Sequence, residues 1–155
     1  MKVVVQRVKR ASVSVNQKTV AKINQGFLLL VGLSKTDTLD EVKYIARKIA
    51  KLRVFSDLED KMNLSINDVQ GEILSISQFT LYGDTHKSNR PSFTEAMNYK
   101  LAKPIYDIFN KILREEYHIK VLEGIFGENM DISLVNDGPV TIIIEKKKHW
   151  LYLTK

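Results

Sequence analysis

Cysteine is absent from the 155 residues, which excludes disulfide staples, cysteine-ligated zinc and a thiol nucleophile. Long apolar runs are missing as well. Nothing approaches the roughly 20 residues that a membrane-spanning helix needs, and Met1-Lys2-Val3-Val4-Val5 opens as a strand rather than as a signal peptide. The expected location is cytoplasmic, with no membrane partner. Also missing are a Walker loop, a dinucleotide-binding glycine pattern, a His-Glu-x-x-His pair and a Gly-x-Ser-x-Gly elbow. His86, His118 and His149 stand far apart without carboxylate or cysteine at ligand spacing, so no metal and no cofactor is expected.

What remains suffices for one core. The chain is 44% hydrophobic and 27% charged with no break in composition, so residues 1–145 read as a single domain. Residues 146–155 form a basic, aromatic tail that either adds a strand or frays. The formal net charge of +6 favours anionic partners, nucleic acid among them, although basic solvated faces are common.

Residues 2–33 alternate and turn like a meander, with strands expected over 2–8, 11–15, 19–23 and 26–33. The last is apolar on both faces and belongs in the middle of a sheet. Arg7 interrupts the first; its guanidinium either reaches water or braces a neighbouring loop. Thr38-Leu39-Asp40-Glu41 matches a capping box, and Val42, Ile45, Ala46, Ile49 and Leu52 follow at helical spacing, which predicts a helix over 38–52. Its outer face carries Lys43, Arg47, Lys48 and Lys51, read first as solvated and second as an RNA contact. Residues 56–71 read as a loop or short hairpin. Next come a predicted strand over 72–82, a polar loop over 83–93 and a helix over about 98–117 with Leu101, Ile105, Ile108, Phe109, Ile112 and Leu113 on one stripe, which Pro104 either delays or bends. Strands over 120–123, 131–135 and 140–145 complete the reading.

Two stretches stand out. In Ser77-Gln78-Phe79-Thr80-Leu81-Tyr82-Gly83, hydroxyls and an amide sit inside what otherwise reads as a core strand. Such atoms must be paired if buried, or else face a ligand cavity. In Asn136-Asp137-Gly138-Pro139-Val140-Thr141, Gly138 accepts backbone angles that cost other residues energy, while Pro139 fixes φ, lacks an N–H and makes a cis peptide cheap. The alternatives there are a β-turn joining two strands and a rigid backbone feature with a function. Gly124-Ile125-Phe126-Gly127 has the spacing of a KH-domain glycine clamp but lacks the surrounding helices.

Taken together, Val4-Val5-Gln6-Arg7-Val8, Ser77-Gln78-Phe79-Thr80-Leu81, Arg90-Pro91-Ser92-Phe93, Phe126-Gly127 with Met130, and Asn136-Asp137-Gly138-Pro139-Val140-Thr141 closely resemble the D-aminoacyl-tRNA deacylases. The resemblance runs in order to about residue 145; only the tail departs from it. The fold expected is α+β, a curved barrel-like mixed β-sheet structure with two main helices. The resemblance implies a homodimer, with its active site at the subunit interface, that hydrolyses the ester joining a D-amino acid or glycine to the 3′-terminal ribose of tRNA. D-aminoacyl-tRNA and glycyl-tRNA are the implied substrates. In the family a cis Gly-Pro peptide enters the pocket of the other subunit. Here that maps to Gly138 and Pro139, facing a pocket built by Ser77, Gln78, Phe79 and Thr80, while Arg7 and Met130 match positions that hold the Gly-Pro loop.

Thr80 is the candidate catalytic hydroxyl, yet no His or Lys stands beside it in sequence to act as its base. A route in which the ribose 2′-OH assists attack by water, with backbone N–H groups near Phe79 and Thr80 steadying the oxyanion, is favoured over a covalent Thr80 intermediate. Lys87 and Arg90, on the loop after the active-site strand, are the expected tRNA contacts. The alternatives are a non-catalytic RNA-binding module using the basic surface and a dimerisation scaffold in which Gly-Pro is only a turn.

Overall fold

The computed structural model describes residues 1–148. The expectation for the tail falls mostly on residues 149–155, outside the described residues. The chain forms β1 (Lys2–Val15), β2 (Lys18–Ile23), β3 (Gly26–Gly32), α1 (Leu39–Lys51), β4 (Phe55–Ser56), β5 (Met62–Leu64), β6 (Glu72–Ser77), a 3₁₀ turn (Phe79–Tyr82), α2 (Tyr99–Glu115), β7 (Lys120–Glu123) and β8 (Asp131–Glu145). The main sheet runs β2-β1-β3-β6-β7, with β8 also on β1. β6 lies parallel to β3 and β7, and the other pairings are antiparallel. The result is a nearly closed, barrel-like mixed sheet with two helices.

β1 explains the curvature. Residues 2–8 pair with β3 and residues 11–15 with β2, while the opposite edge follows β8 along its length. A strand shared by two consecutive neighbours on one edge must bend to meet both. The sequence reading split this strand at Lys9-Arg10. No glycine, proline or asparagine lies there to reverse the chain, so the exposed charges mark a solvent-facing section of one continuous strand.

β8 corrects a second expectation, because it runs unbroken through Gly138-Pro139. Gln6 pairs with Thr141 and Val8 with Asn136, so the single residue Arg7 faces the four residues 137–140. This is a wide bulge in a continuing strand, and a strand-reversing β-turn is excluded. The third correction concerns β6, which stops at Ser77 rather than Tyr82. Its parallel neighbour β3 ends at Gly32, and without that ladder the chain tightens into the 3₁₀ turn.

The two faces of β3 and β6 bury different sets of side chains. Phe27, Leu29 and Ile73 pack with Val42, Ile45 and Ile49 of α1 and Phe109 and Leu113 of α2. Leu28, Leu74 and Ile76 join Val8, Val13 and Ile23 inside the curve of the sheet. In α1 the capping box forms as read: the Glu41 carboxylate accepts from the Thr38 N–H at 2.7 Å and its hydroxyl at 2.6 Å. α2 begins at an Asn98 cap and continues through Pro104. An interior proline costs about 3 kcal/mol; burying Tyr106, Phe109 and Leu113 at about 1.5–3 kcal/mol for a large apolar side chain offsets it. No helix among the described residues is long and apolar enough to cross a membrane.

Acid should loosen this fold. The Asn24 amide and then Lys120 hold the Glu72 carboxyl below its usual value, and the Lys61 and Glu59 amides do the same for Asp57. Burial raises Glu41, but hydrogen bonds from Thr38 outweigh it and leave the carboxyl depressed. Folded values below unfolded ones contribute stability above about pH 4, and it is lost as pH falls through the folded values. Asp37 acts oppositely, since burial raises it despite the Met1 ammonium bound to it. The His86 amide and ring hold Asp84 low as well, so with four carboxyls against one the urea midpoint is expected to hold from pH 7 to about 5 and then fall toward pH 3. A midpoint unchanged to pH 3 contradicts this balance.

Candidate active site

A cavity of about 940 Å³ lies where the parallel strands β3 and β6 end, walled by the start of α2 and by residues 126–130. Ser77, Gln78 and Phe79 form one side of it. The Gln78 N–H donates to the Val31 carbonyl at 2.8 Å and the Gly83 N–H to the Thr80 carbonyl at 3.0 Å, fixing the 3₁₀ turn at both ends. Gly32 permits the approach, for a Cβ there would stand 3.1 Å from Leu81 Cβ and 3.2 Å from the Gln78 carbonyl oxygen. The Gln78 amide donates to the Thr80 hydroxyl. Phe79, 55% exposed, meets Phe93 edge to face with centroids 5.1 Å apart.

The floor of the cavity is tied down from α2. The Tyr106 hydroxyl donates to the Ser75 carbonyl at 2.8 Å, and burial pushes its pKa up to about 12, so it remains a neutral donor. Its ring also meets Phe126, with centroids 5.6 Å apart. Tyr99, Phe79 and Phe93 line the cavity and are all exposed. Exposed apolar groups of this kind mark a ligand-binding groove or a protein interaction surface.

The Gly-Pro bulge is held by two side chains. Arg7, almost wholly buried, donates Nε to the Asp137 carbonyl at 3.1 Å and Nη1 to the Val54 carbonyl at 2.6 Å. Its Nε also lies 3.6 Å from the Asp137 carboxylate. Asn136 accepts from the Val140 N–H at 2.9 Å and donates to the Thr141 hydroxyl at 2.8 Å. Between these anchors the Gly138–Pro139 peptide is cis, and both residues are exposed. Thus Arg7 braces a loop rather than reaching water.

Within one chain the expected site residues fall into two groups. Ser77, Gln78, Phe79 and Met130 line the cavity. Arg7, Gly138 and Pro139 form the bulge and do not line it; neither does Thr80, which is exposed. Met130 supports the cavity wall beneath Gly124, where a Cβ would come within 2.5 Å of its sulfur. Lys87 and Arg90 stand on the exposed loop, which is pinned by the Asp84–Ser92 pairing and by His86 Nδ1 at 2.6 Å from the Asp84 carboxylate. Tyr106, Met97 and the Val54 carbonyl were missed from sequence. Tyr106 stands outside the apolar stripe that marks α2 in the sequence, and a main-chain acceptor such as Val54 leaves no mark in the residue type.

The same nearly closed sheet with two helices occurs in a solved structure described as a probable eukaryotic D-amino acid tRNA deacylase, with a TM-score of 0.82 and 15% identity, covering 92% of this chain and 97% of that one. Another, described as c-Myc DNA Unwinding Element Binding Protein, is 43% identical with a TM-score of 0.91, covering 96% of this chain and 100% of that one. The sequence matches the D-Tyr-tRNA(Tyr) deacylase family over residues 4–145, and the chain belongs to that family. It is accordingly a hydrolase acting on ester bonds.

Proposed function

We propose that two copies of this chain associate about a two-fold axis and hydrolyse D-aminoacyl-tRNA and glycyl-tRNA, with Gly138-Pro139 of each copy entering the cavity of the other. The observation that carries this reading is the bulge: an exposed main-chain wedge, clamped by Arg7 and Asn136, lies outside its own chain's cavity. The exposed side chains of Phe79, Phe93 and Tyr99 along the cavity support coverage by a partner.

An enzyme that accepts many D side chains cannot read the side chain. It must read the other substituents of Cα and fill the space into which an L side chain would project. Main-chain atoms do this uniformly: carbonyl oxygens accept from the substrate ammonium while the wedge leaves no room for an L Cβ. At about 1.4 kcal/mol per tenfold, a clash of about 4 kcal/mol gives a thousandfold rejection. Glycine has no Cβ and passes the same filter. Ser77, Gln78 and Phe79 of the cavity wall, with Thr80 next to them on the 3₁₀ turn at its mouth, bind the 3′-terminal aminoacyl ester, and Lys87 and Arg90 contact tRNA phosphates.

The chemistry is assisted by the substrate. Thr80 is held by an amide N–H donor, which cannot take up its proton. The ribose 2′-OH assists attack by water, and backbone N–H groups near Phe79 and Thr80 steady the oxyanion. Thr80→Val is expected to retain deacylation within about tenfold, with no acyl-enzyme trapped on the native protein. A loss of about a thousandfold together with a trapped adduct would establish the covalent route instead.

The function itself is tested by incubating the protein with D-Tyr-tRNA and L-Tyr-tRNA. Release of tyrosine from the D ester alone is expected. Equal release from both overturns chiral selection, and binding without release assigns an RNA-binding module.

A further inference from the structure

α1 directs Lys43, Arg47, Lys48 and Lys51 to solvent, and its carboxylates are confined to the first turn, where Glu41 is consumed by the capping box. Among the described residues none of these four cations has a carboxylate partner, whereas on α2 Lys103 pairs with Asp107 at 2.6 Å and Arg114 with Glu123 at 2.7 Å. Two of the cations on α2 are thus paired with carboxylates, and none of these four on α1 is. Lys43, Arg47 and Lys51 follow one another at four-residue steps, about 6 Å apart along the axis.

A second observation shows that the charge is gathered rather than scattered. The half-buried Tyr44 ring draws Arg47, Lys48 and Lys146 around it, at 5.8, 5.7 and 4.8 Å from its centre. Each contact is worth about 0.5–1 kcal/mol at an exposed site, enough to hold like charges that would otherwise spread apart. The segment that leads into α1 starts at the cavity. The Met97 N–H donates to the Leu33 carbonyl, and both residues line the cavity wall. α1 starts six residues further on, at Leu39, and is about 20 Å long.

On the deacylase reading, a 3′-terminal ester held in the cavity leaves its stem outside. We infer that the outer face of α1, with Lys146, seats the phosphate backbone of the tRNA acceptor stem. The contact is with the charge and shape of the RNA duplex rather than with its bases.

The test compares the native protein with Lys43→Gln/Arg47→Gln/Lys51→Gln, using the Lys87→Ala/Arg90→Ala variant as a reference. Uncharged tRNA is titrated at several salt concentrations, and hydrolysis of the D-tyrosyl ester of adenosine, which has no stem, is measured alongside. Loss of three phosphate contacts should flatten the slope of log K against log salt by about 2–3, while hydrolysis of the short ester stays native. An unchanged slope overturns the inference, as does an equal loss with the short ester. Equally tight binding of duplex DNA through the same residues overturns the assignment to RNA. Because uncharged tRNA requires no hydrolysis, failure here leaves the deacylase reading intact, and failure of deacylation leaves the slope readable.

Discussion

Arg7→Ala is expected to lower stability by about 3–5 kcal/mol and D-Tyr-tRNA hydrolysis by about a hundredfold or more. The guanidinium crosses from β1 to two main-chain carbonyls, Asp137 on the bulge and Val54 after α1, and it is 9% exposed. Charge-assisted bonds of this kind contribute about 1.5–3 kcal/mol each, and truncation leaves both acceptors unpaired. Arg7→Lys keeps the charge but offers a point donor in place of a fork, so it cannot serve both carbonyls in one geometry. Its urea midpoint and its kcat/KM should fall between those of the native protein and the alanine variant, and it supplies the kinetic readout if Arg7→Ala does not fold. A native midpoint and native kcat/KM in both variants would show that the bulge holds itself in place without Arg7.

Gly138→Ala is expected to leave the fold standing and to remove most of the activity. Gly138 has φ of +127°, and a Cβ there would lie 2.9 Å from Val140 Cγ2 and 3.0 Å from Arg7 Nη2. Positive φ costs a residue with a side chain about 1–3 kcal/mol, and neither neighbour is free to yield, because Val140 is buried and Arg7 is clamped. The bulge must therefore shift. The thermal midpoint should drop by no more than about 10 °C, while D-Tyr-tRNA hydrolysis falls by about a hundredfold and the preference for D over L narrows. Native activity with native preference would remove this backbone from substrate selection.

Local signals were legible in the sequence, and pairing was not. The capping box at Thr38 placed α1 within a residue of its observed start, and the stripe of Leu101, Ile105, Ile108, Phe109, Ile112 and Leu113 placed α2 despite Pro104, although Leu101 itself is exposed. Three boundaries failed for a shared reason, since a strand ends where its neighbours end and not where its own residues change character. β1 passes through exposed Lys9-Arg10 because β8 runs beside it on either side of that point. β8 passes through Gly138-Pro139 because β1 resumes pairing beyond Arg7, and β6 stops at Ser77 because β3 has run out. At the site, the Ser-Gln-Phe-Thr and Gly-Pro-Val-Thr stretches were visible as residues that fit poorly in a core. The Val54 acceptor was invisible, because any residue at that position supplies a carbonyl.

Whether one copy's wedge completes the other copy's cavity is tested most directly by mixing two damaged subunits. Gly138→Ala spoils the wedge and Phe79→Ala spoils the cavity, and each homodimer alone should be nearly inactive toward D-Tyr-tRNA. Co-expressed with different tags, random pairing about a two-fold axis makes about half the dimers hybrid, each with one site built from an intact cavity and an intact wedge. Recovery of about a quarter of the native rate, confined to the doubly tagged fraction, is predicted. A hybrid fraction no more active than the two homodimers would contradict the account, placing the whole site within a single chain.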